Sequence, residues 1–112
     1  MTVKNGMPFL AEALESVAKQ QFKDFELLVQ DSQSTDGSLN IFKRYSEDPR
    51  LCSQLKVVSE RDASLADAKK RAFNRCRGEI LGSIDADNLL EHDCLEWIAQ
   101  TFRSNPNVAV IY

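Results

Sequence analysis

The sequence predicts an α/β fold with a largely parallel sheet and crossover helices. Two patterns carry that prediction: short β-compatible runs alternate with runs of helical period along the chain, and each strand-like run stops at a polar turn. A third observation bounds it. At 112 residues, 43% hydrophobic and 28% charged, the chain holds one modest core, which argues against both two domains and disorder.

The spacing of Leu10, Ala13, Leu14 and Val17 predicts an amphipathic helix over about residues 8–20, with Pro8 in the first turn, where its missing N–H is harmless. Only Met1-Thr2-Val3-Lys4 precede it, so a strand leading into this helix is reduced to its last residues. Residues 25–30 are short, β-compatible and too apolar for a surface loop; they stop at Asp31-Ser32-Gln33-Ser34-Thr35-Asp36-Gly37, rich in residues that cap helices. Leu39, Phe42 and Tyr45 mark a second helix, which Pro49 keeps from running past Asp48.

Residues 55–59 form the next strand, followed by Glu60-Arg61-Asp62, expected to be a solvated turn. Ser64 is an N-cap with Asp67 three residues on, and Leu65, Ala68, Ala72 and Cys76 keep one helical face until Gly78 ends it. A further strand is expected over 79–84, ending at Asp85-Ala86-Asp87, and Leu95, Ile98, Ala99 and Phe102 define a fourth helix broken at Asn105-Pro106-Asn107. Residues 108–112 are a wholly apolar β-type run. The expected sheet is therefore truncated at both ends, and its exposed strand edges favour pairing with a second copy of the chain.

Fourteen Lys and Arg against seventeen Asp and Glu leave a net charge of −3 without a basic run, which argues against nucleic acid as a partner and against a polybasic membrane patch. No apolar stretch nears the roughly 20 residues of a membrane span, and no signal-peptide core opens the chain. The expectation is a soluble, unprocessed cytoplasmic chain, peripheral to a membrane at most within a longer protein. Cys52, Cys76 and Cys94 are odd in number and widely spaced, which fits a reducing compartment and buried, inert thiols. His92 is expected at the surface and Trp97 in the core or at a subdomain contact.

Ligands of open parallel sheets collect beyond the carboxyl ends of the strands. The residues there are acidic: Asp31, then Glu60 with Asp62, then Asp85 with Asp87. On an extended segment side chains two apart point the same way, so Asp85 and Asp87 offer one hard cation two carboxylates with the small Ala86 between them. Mg²⁺ or Mn²⁺ held in this way keeps coordination positions open for the phosphates of a nucleotide. The motif alone carries little weight, since nine Asp in 112 residues give about 0.7 Asp-x-Asp matches by chance. Position carries the information. For Asp31, turn formation and ligand binding stay equally open, because Asp favours turns after strands. Phosphate-loop, dinucleotide, nucleophile-elbow and HExxH signatures are missing, which leaves nucleophilic hydrolysis and dinucleotide binding without support.

Three segments in this order resemble the family 2 glycosyltransferases of GT-A fold. Val3-Lys4-Asn5-Gly6 before Phe9-Leu10-Ala11-Glu12-Ala13-Leu14-Glu15-Ser16-Val17 is similar to the family's first loop and helix. Phe25-Glu26-Leu27-Leu28-Val29-Gln30-Asp31 with Ser34-Thr35-Asp36-Gly37-Ser38 is similar to its E-hydrophobic-D…S-T-D-G-T segment, and Gly78-Glu79-Ile80-Leu81-Gly82-Ser83-Ile84-Asp85-Ala86-Asp87 to its G-E-hydrophobic…D-A-D strand and metal motif. The resemblance covers essentially the whole chain.

What the resemblance implies is a Rossmann-like GT-A nucleotide-binding half, residues 1–112 forming one partial domain of a longer enzyme. That enzyme would transfer a sugar, with inversion, from a UDP-linked donor to an unidentified acceptor in cell-envelope polysaccharide synthesis. The implied donor-binding residues are Thr2, Val3 and Asn5 of the first loop, Asp31 at the base, and Asp62, Asp67 and Lys69 from a segment similar to S-E-x-D…D-A. Asp85 would lie near the ribose and metal, and Asp87 would hold the Mn²⁺ or Mg²⁺ that bridges the diphosphate and neutralises its developing charge. No residue matches the family's catalytic base, which lies downstream of the matched strands. Ser32, Lys70, Ala72 and Asn88 depart from the family's usual residues, which bears on sugar specificity. Competing classes are a non-catalytic nucleotide- or metal-binding module, a nucleotidyltransferase, which would want a Gly-rich basic loop near the start, and a phosphoacceptor receiver, whose acidic pair should follow the first strand.

Overall fold

The structure, a computed structural model, describes residues 1–111. Three parallel strands, β1 (Thr2–Val3), β2 (Leu27–Asp31) and β3 (Leu55–Ser59), lie in the order β1-β2-β3. Val3 pairs with Asp31 and Asp31 with Ser59, so these three residues form one row across the carboxyl end of the sheet. With a neighbour on each side and helices over both faces, β2 is buried along its whole length.

Alternation along β2 divides the core. Leu27 and Val29 join the main cluster with Leu10, Leu14 and Val17 of α1 (Leu10–Ala18) and Phe42 and Tyr45 of α2 (Ser38–Ser46). Leu28 points to the opposite face, where α3 (Leu65–Arg75) lies against β2 and β1 with the small Ala68 and Ala72 buried. The helix α4 (Cys94–Ser104) buries only Ala99; it is tied to α1 through Gln20, whose Oε1 accepts from Leu95 N–H at 3.1 Å and whose Nε2 donates to the Glu91 carbonyl at 2.6 Å.

The helices and the strands β2 and β3 agree with the periodicity, and β1 is the short strand expected before the first helix. Two expected strands are corrected. Residues 79–84 are not in a strand, because a parallel strand exists only as a partner in a ladder; the β1 edge offers two residues, and Gly78 and Gly82 weaken the run. Ile80 and Leu81 are left exposed. Residues 108–111 likewise join neither edge, and Tyr112 lies outside the described residues. An apolar run has no strand geometry of its own without a partner to pair with.

Three smaller expectations also change. α3 ends at Arg75, three residues before Gly78, since Cys76 turns extended and Glu26 captures the Arg77 N–H. Trp97 is 55% exposed, because α4 turns only a narrow stripe inward. Cys52 is exposed, while Cys76 and Cys94 are half-buried, and all three are free thiols. His92 is at the surface as expected.

Candidate functional site at the carboxyl edge of the sheet

The first loop is held by the polar turn after β2. Asn5 N–H donates to Ser34 Oγ at 2.8 Å, Gly6 N–H to Ser38 Oγ at 3.0 Å and Met7 N–H to Asp36 Oδ2 at 2.8 Å, while Asn5 Oδ1 accepts from Thr35 N–H at 2.9 Å. Asn5 sits at φ 56°, a left-handed conformation that Asn tolerates better than most residues. The Ser38 hydroxyl, with the Met7 N–H, holds the Asp36 carboxyl below its ordinary pKa. Asn5 thus meets the Ser-Thr-Asp-Gly-Ser turn through its backbone and side chain, and the two motifs form one clamp.

Asp31 is completely buried beneath that clamp. Its carboxylate accepts from Ser34 Oγ at 2.5 Å, Ser34 N–H at 3.2 Å and, across the sheet row, Ser59 Oγ at 2.6 Å. In this structure the side chain fastens the turn to β2 and reaches across to β3.

Beside it, a cleft of about 190 Å³ opens at the ends of all three strands, lined by Thr2, Val3 and Lys4, by Ser32, and by residues 62–65. Thr2, Val3 and Asp62 are among the donor-binding residues that the resemblance implies; Lys4 belongs to the same first-loop motif, Ser32 departs from the family's usual residues, Ser64 and Leu65 mark the start of α3, and Ala63 is not singled out. Placement just beyond a strand end is the signal that would have found it. Ser64 is the N-cap expected of it, accepting from Asp67 N–H at 3.1 Å, and Asp67 Oδ2 in return accepts from Ala63 N–H at 3.0 Å. That bond, together with Arg71, holds the Asp67 carboxyl below its ordinary pKa and turns the side chain to the helix cap.

The solvated turn expected at Glu60-Arg61-Asp62 is a correction. Gln30, fully buried on β2, donates from Nε2 to Glu60 Oε1 at 3.1 Å and to Asp62 Oδ1 at 3.0 Å, and Ser32 Oγ donates to Asp62 Oδ2 at 2.7 Å. Arg75, then Gln30, hold the Glu60 carboxyl at about 2, against an ordinary 4.5. The folded value is depressed, so this group's support for the fold is complete above pH 4.5 and is lost as pH falls through about 2. Carbon-detected NMR of the Glu60 carboxyl is expected to give a midpoint near 2, and Arg75→Met to move it back towards 4.5; a midpoint near 4.5 in the unaltered chain contradicts the pairing.

The acidic pair is not extended. Asn88 N–H donates to the Asp85 carbonyl at 3.2 Å, closing a turn, so the same-side geometry expected of Asp85 and Asp87 does not apply. Ala86 packs against the core, 3.6 Å from where a Cβ on Gly6 would stand, and this docks the turn on the first loop. Both carboxylates are exposed, and Lys69 Nζ approaches Asp85 Oδ1 at 3.9 Å. Among the described residues no group of three or more His, Cys, Asp or Glu is placed to hold a metal. Two exposed carboxylates on one turn do not make a closed structural site; each offers a hard oxygen of the kind Mg²⁺ and Mn²⁺ accept.

A parallel sheet with a small cleft and an acidic turn at its carboxyl edge defines an α/β domain of the GT-A fold. The chain belongs to glycosyl transferase family 2: the sequence model of that family matches residues 1–112. It is similar to a chondroitin synthase of Escherichia coli, 29% identical over 109 residues that make up 96% of this chain and 15% of the relative. It is also similar to a hyaluronan synthase of Pasteurella multocida, 26% identical over 105 residues, 93% of this chain and 10% of the relative. In fold it matches the crystal structure of S. aureus TarS 1-349 in complex with UDP-GlcNAc, with a TM-score of 0.84 and 24% identity over 99% of this chain and 35% of that one. The chain therefore spans a small part of the length of the proteins it matches.

Proposed function

We propose that the chain binds the nucleotide diphosphate of a UDP-linked sugar, as the donor half of an inverting, divalent-metal-dependent glycosyltransferase. The observation that carries this reading is the cleft at the ends of β1, β2 and β3, with the acidic turn docked on the same first loop. Thr2, Val3 and Lys4 form one wall, and Ala63, Ser64 and the exposed Leu65 the other, where an apolar side chain packs on the face of a base. Ser64 Oγ keeps its hydroxyl proton to donate, and Lys4 brings a positive charge toward the diphosphate. Asp85 and Asp87 would hold the divalent ion, whose chemistry is to neutralise charge growing on the leaving diphosphate. Lys69 Nζ stands 3.9 Å from Asp85 Oδ1 on the same face of the site.

Support comes from the family, from relatives named as chondroitin and hyaluronan synthases, and from the TarS complex with UDP-GlcNAc. A cell-envelope polysaccharide product and a cytoplasmic location belong to the same reading. Among the described residues no helix is long and apolar enough to cross a membrane.

Calorimetry with UDP, with and without Mn²⁺, tests it. Affinity is expected to fall about tenfold or more when the metal is withheld or Asp87→Ala is made, a difference of roughly 1.4 kcal/mol or more. Equal binding with and without Mn²⁺ overturns the metal assignment, and no binding of UDP in either condition overturns the donor assignment.

A further inference from the structure

We infer that Arg75 and Arg71 are positioning residues for the bound nucleotide, acting through Gln30, Glu60 and Asp62 to hold the loop between β3 and α3 as a fixed wall of the cleft. The inference rests on the donor-binding reading above. Neither arginine lines the cleft. Their effect passes through the carboxylates they neutralise.

Gln30 lies one residue from the carboxyl end of the buried central strand, a place where an apolar side chain would pack without needing partners. It is fully engaged instead. Its single amide nitrogen serves both Glu60 and Asp62, and its Oε1 accepts from Arg75 Nη1 at 2.5 Å. Arg75 Nη2 donates to the same Glu60 oxygen at 2.7 Å, so Arg75 closes a ring of hydrogen bonds from β2 through the loop to α3. Arg71 adds ion pairs to Glu60 at 3.3 Å, Asp62 at 3.7 Å and Asp67 at 3.1 Å.

The consequence for the cleft follows from charge. Glu60 and Asp62 are like charges that accept from one nitrogen, and they stay together only while guanidinium groups offset their repulsion. The Asp62 side chain is 1% exposed and anchors the loop inward, and Asp62, Ala63 and Ser64 of the same loop line the cleft. Removing Arg75 lets the carboxylates separate and the wall move. A ligand that needs the wall in place then binds more weakly by the fraction of time it is there.

The test uses Arg75→Met and Arg75→Lys in the 112-residue chain, with Arg71→Met as the milder variant should Arg75→Met not fold. Amide exchange at residues 62–65 and UDP affinity by calorimetry are measured where each protein is fully folded. Arg75→Met is expected to speed exchange at 62–65 about tenfold while the amides of α1 keep their rates, and to weaken UDP about tenfold, as a wall in place about a tenth of the time requires. Arg75→Lys, which keeps the charge and loses the fork, falls between. A loosened loop with unchanged UDP affinity overturns the inference alone and leaves the donor reading standing, as does unchanged exchange at 62–65. Failure of the unaltered chain to bind UDP overturns the donor reading and this inference with it.

Discussion

Asp31→Ala is expected to lower the unfolding free energy by about 3 kcal/mol, the upper end for leaving buried donors without their acceptor. Against the roughly 5–15 kcal/mol of a typical domain this leaves a marginal fold. The carboxylate is fully buried, and its loss strands the Ser34 hydroxyl and N–H beside it, while the exposed Ser59 hydroxyl loses its acceptor but keeps access to solvent. The same Ser34 hydroxyl accepts from Asn5 N–H, so the first loop loosens as well. Asp31→Asn keeps the shape and one acceptor oxygen, and the serine hydroxyls can rotate to accept from the new amide; about 1–2 kcal/mol is expected. Urea unfolding measures both, with the midpoint shifting and the slope constant. An Asp31→Ala protein within about 1 kcal/mol of the parent, less than a single charged hydrogen bond, would show that the buried carboxylate is not what fastens the turn.

The second large effect is expected at Gly6. A Cβ there would stand 3.0 Å from Val3 Cγ1 and 3.2 Å from Leu10 Cβ, both buried, and Leu10 Cβ is fixed to the α1 backbone. Gly6→Val therefore drives two further methyl groups into a closed core and is expected to cost about 1–3 kcal/mol. Ala86 is the third neighbour at 3.6 Å, so the acidic turn is displaced from the first loop. Metal-dependent UDP binding should fall together with stability. Gly6→Ala is the control, because the entropy it removes from the unfolded chain, about 0.4–1 kcal/mol, offsets part of its crowding. A Gly6→Val chain with unchanged thermal midpoint and unchanged UDP binding would rule out this packing as the support of the turn.

The sites differ in how legible they are. Thr2 and Val3, taken from the resemblance, and Asp62, taken both from the resemblance and from its place beyond a strand end, line the cleft. Asp31 and Asn5, which the resemblance implies as nucleotide residues, also hold the loops together through hydrogen bonds with Ser34, Ser59 and Thr35, which no local pattern announces. Asp67 caps α3, although its three-residue spacing from Ser64 announced that role beside the functional one. Gln30 carries no sequence signal at all. It reads as one polar residue in a strand until the fold brings Arg75 from 45 positions away and Glu60 from 30.

The four helices, the strands β2 and β3, the N-cap of α3 and the family are legible along the chain, because each rests on local spacing or on the order of short motifs. Tertiary structure decided the rest. Whether residues 79–84 and 108–111 become strands depends on a ladder partner, which no local pattern supplies. Whether Glu60 and Asp62 are solvated depends on a buried amide and two guanidinium groups contributed by β2 and α3. Whether Asp85 and Asp87 share a face depends on a turn docked over a glycine at the other end of the chain. Spacing along the chain sets which way a side chain leaves its own helix or strand, while the partner it meets there is chosen by packing between segments tens of residues apart.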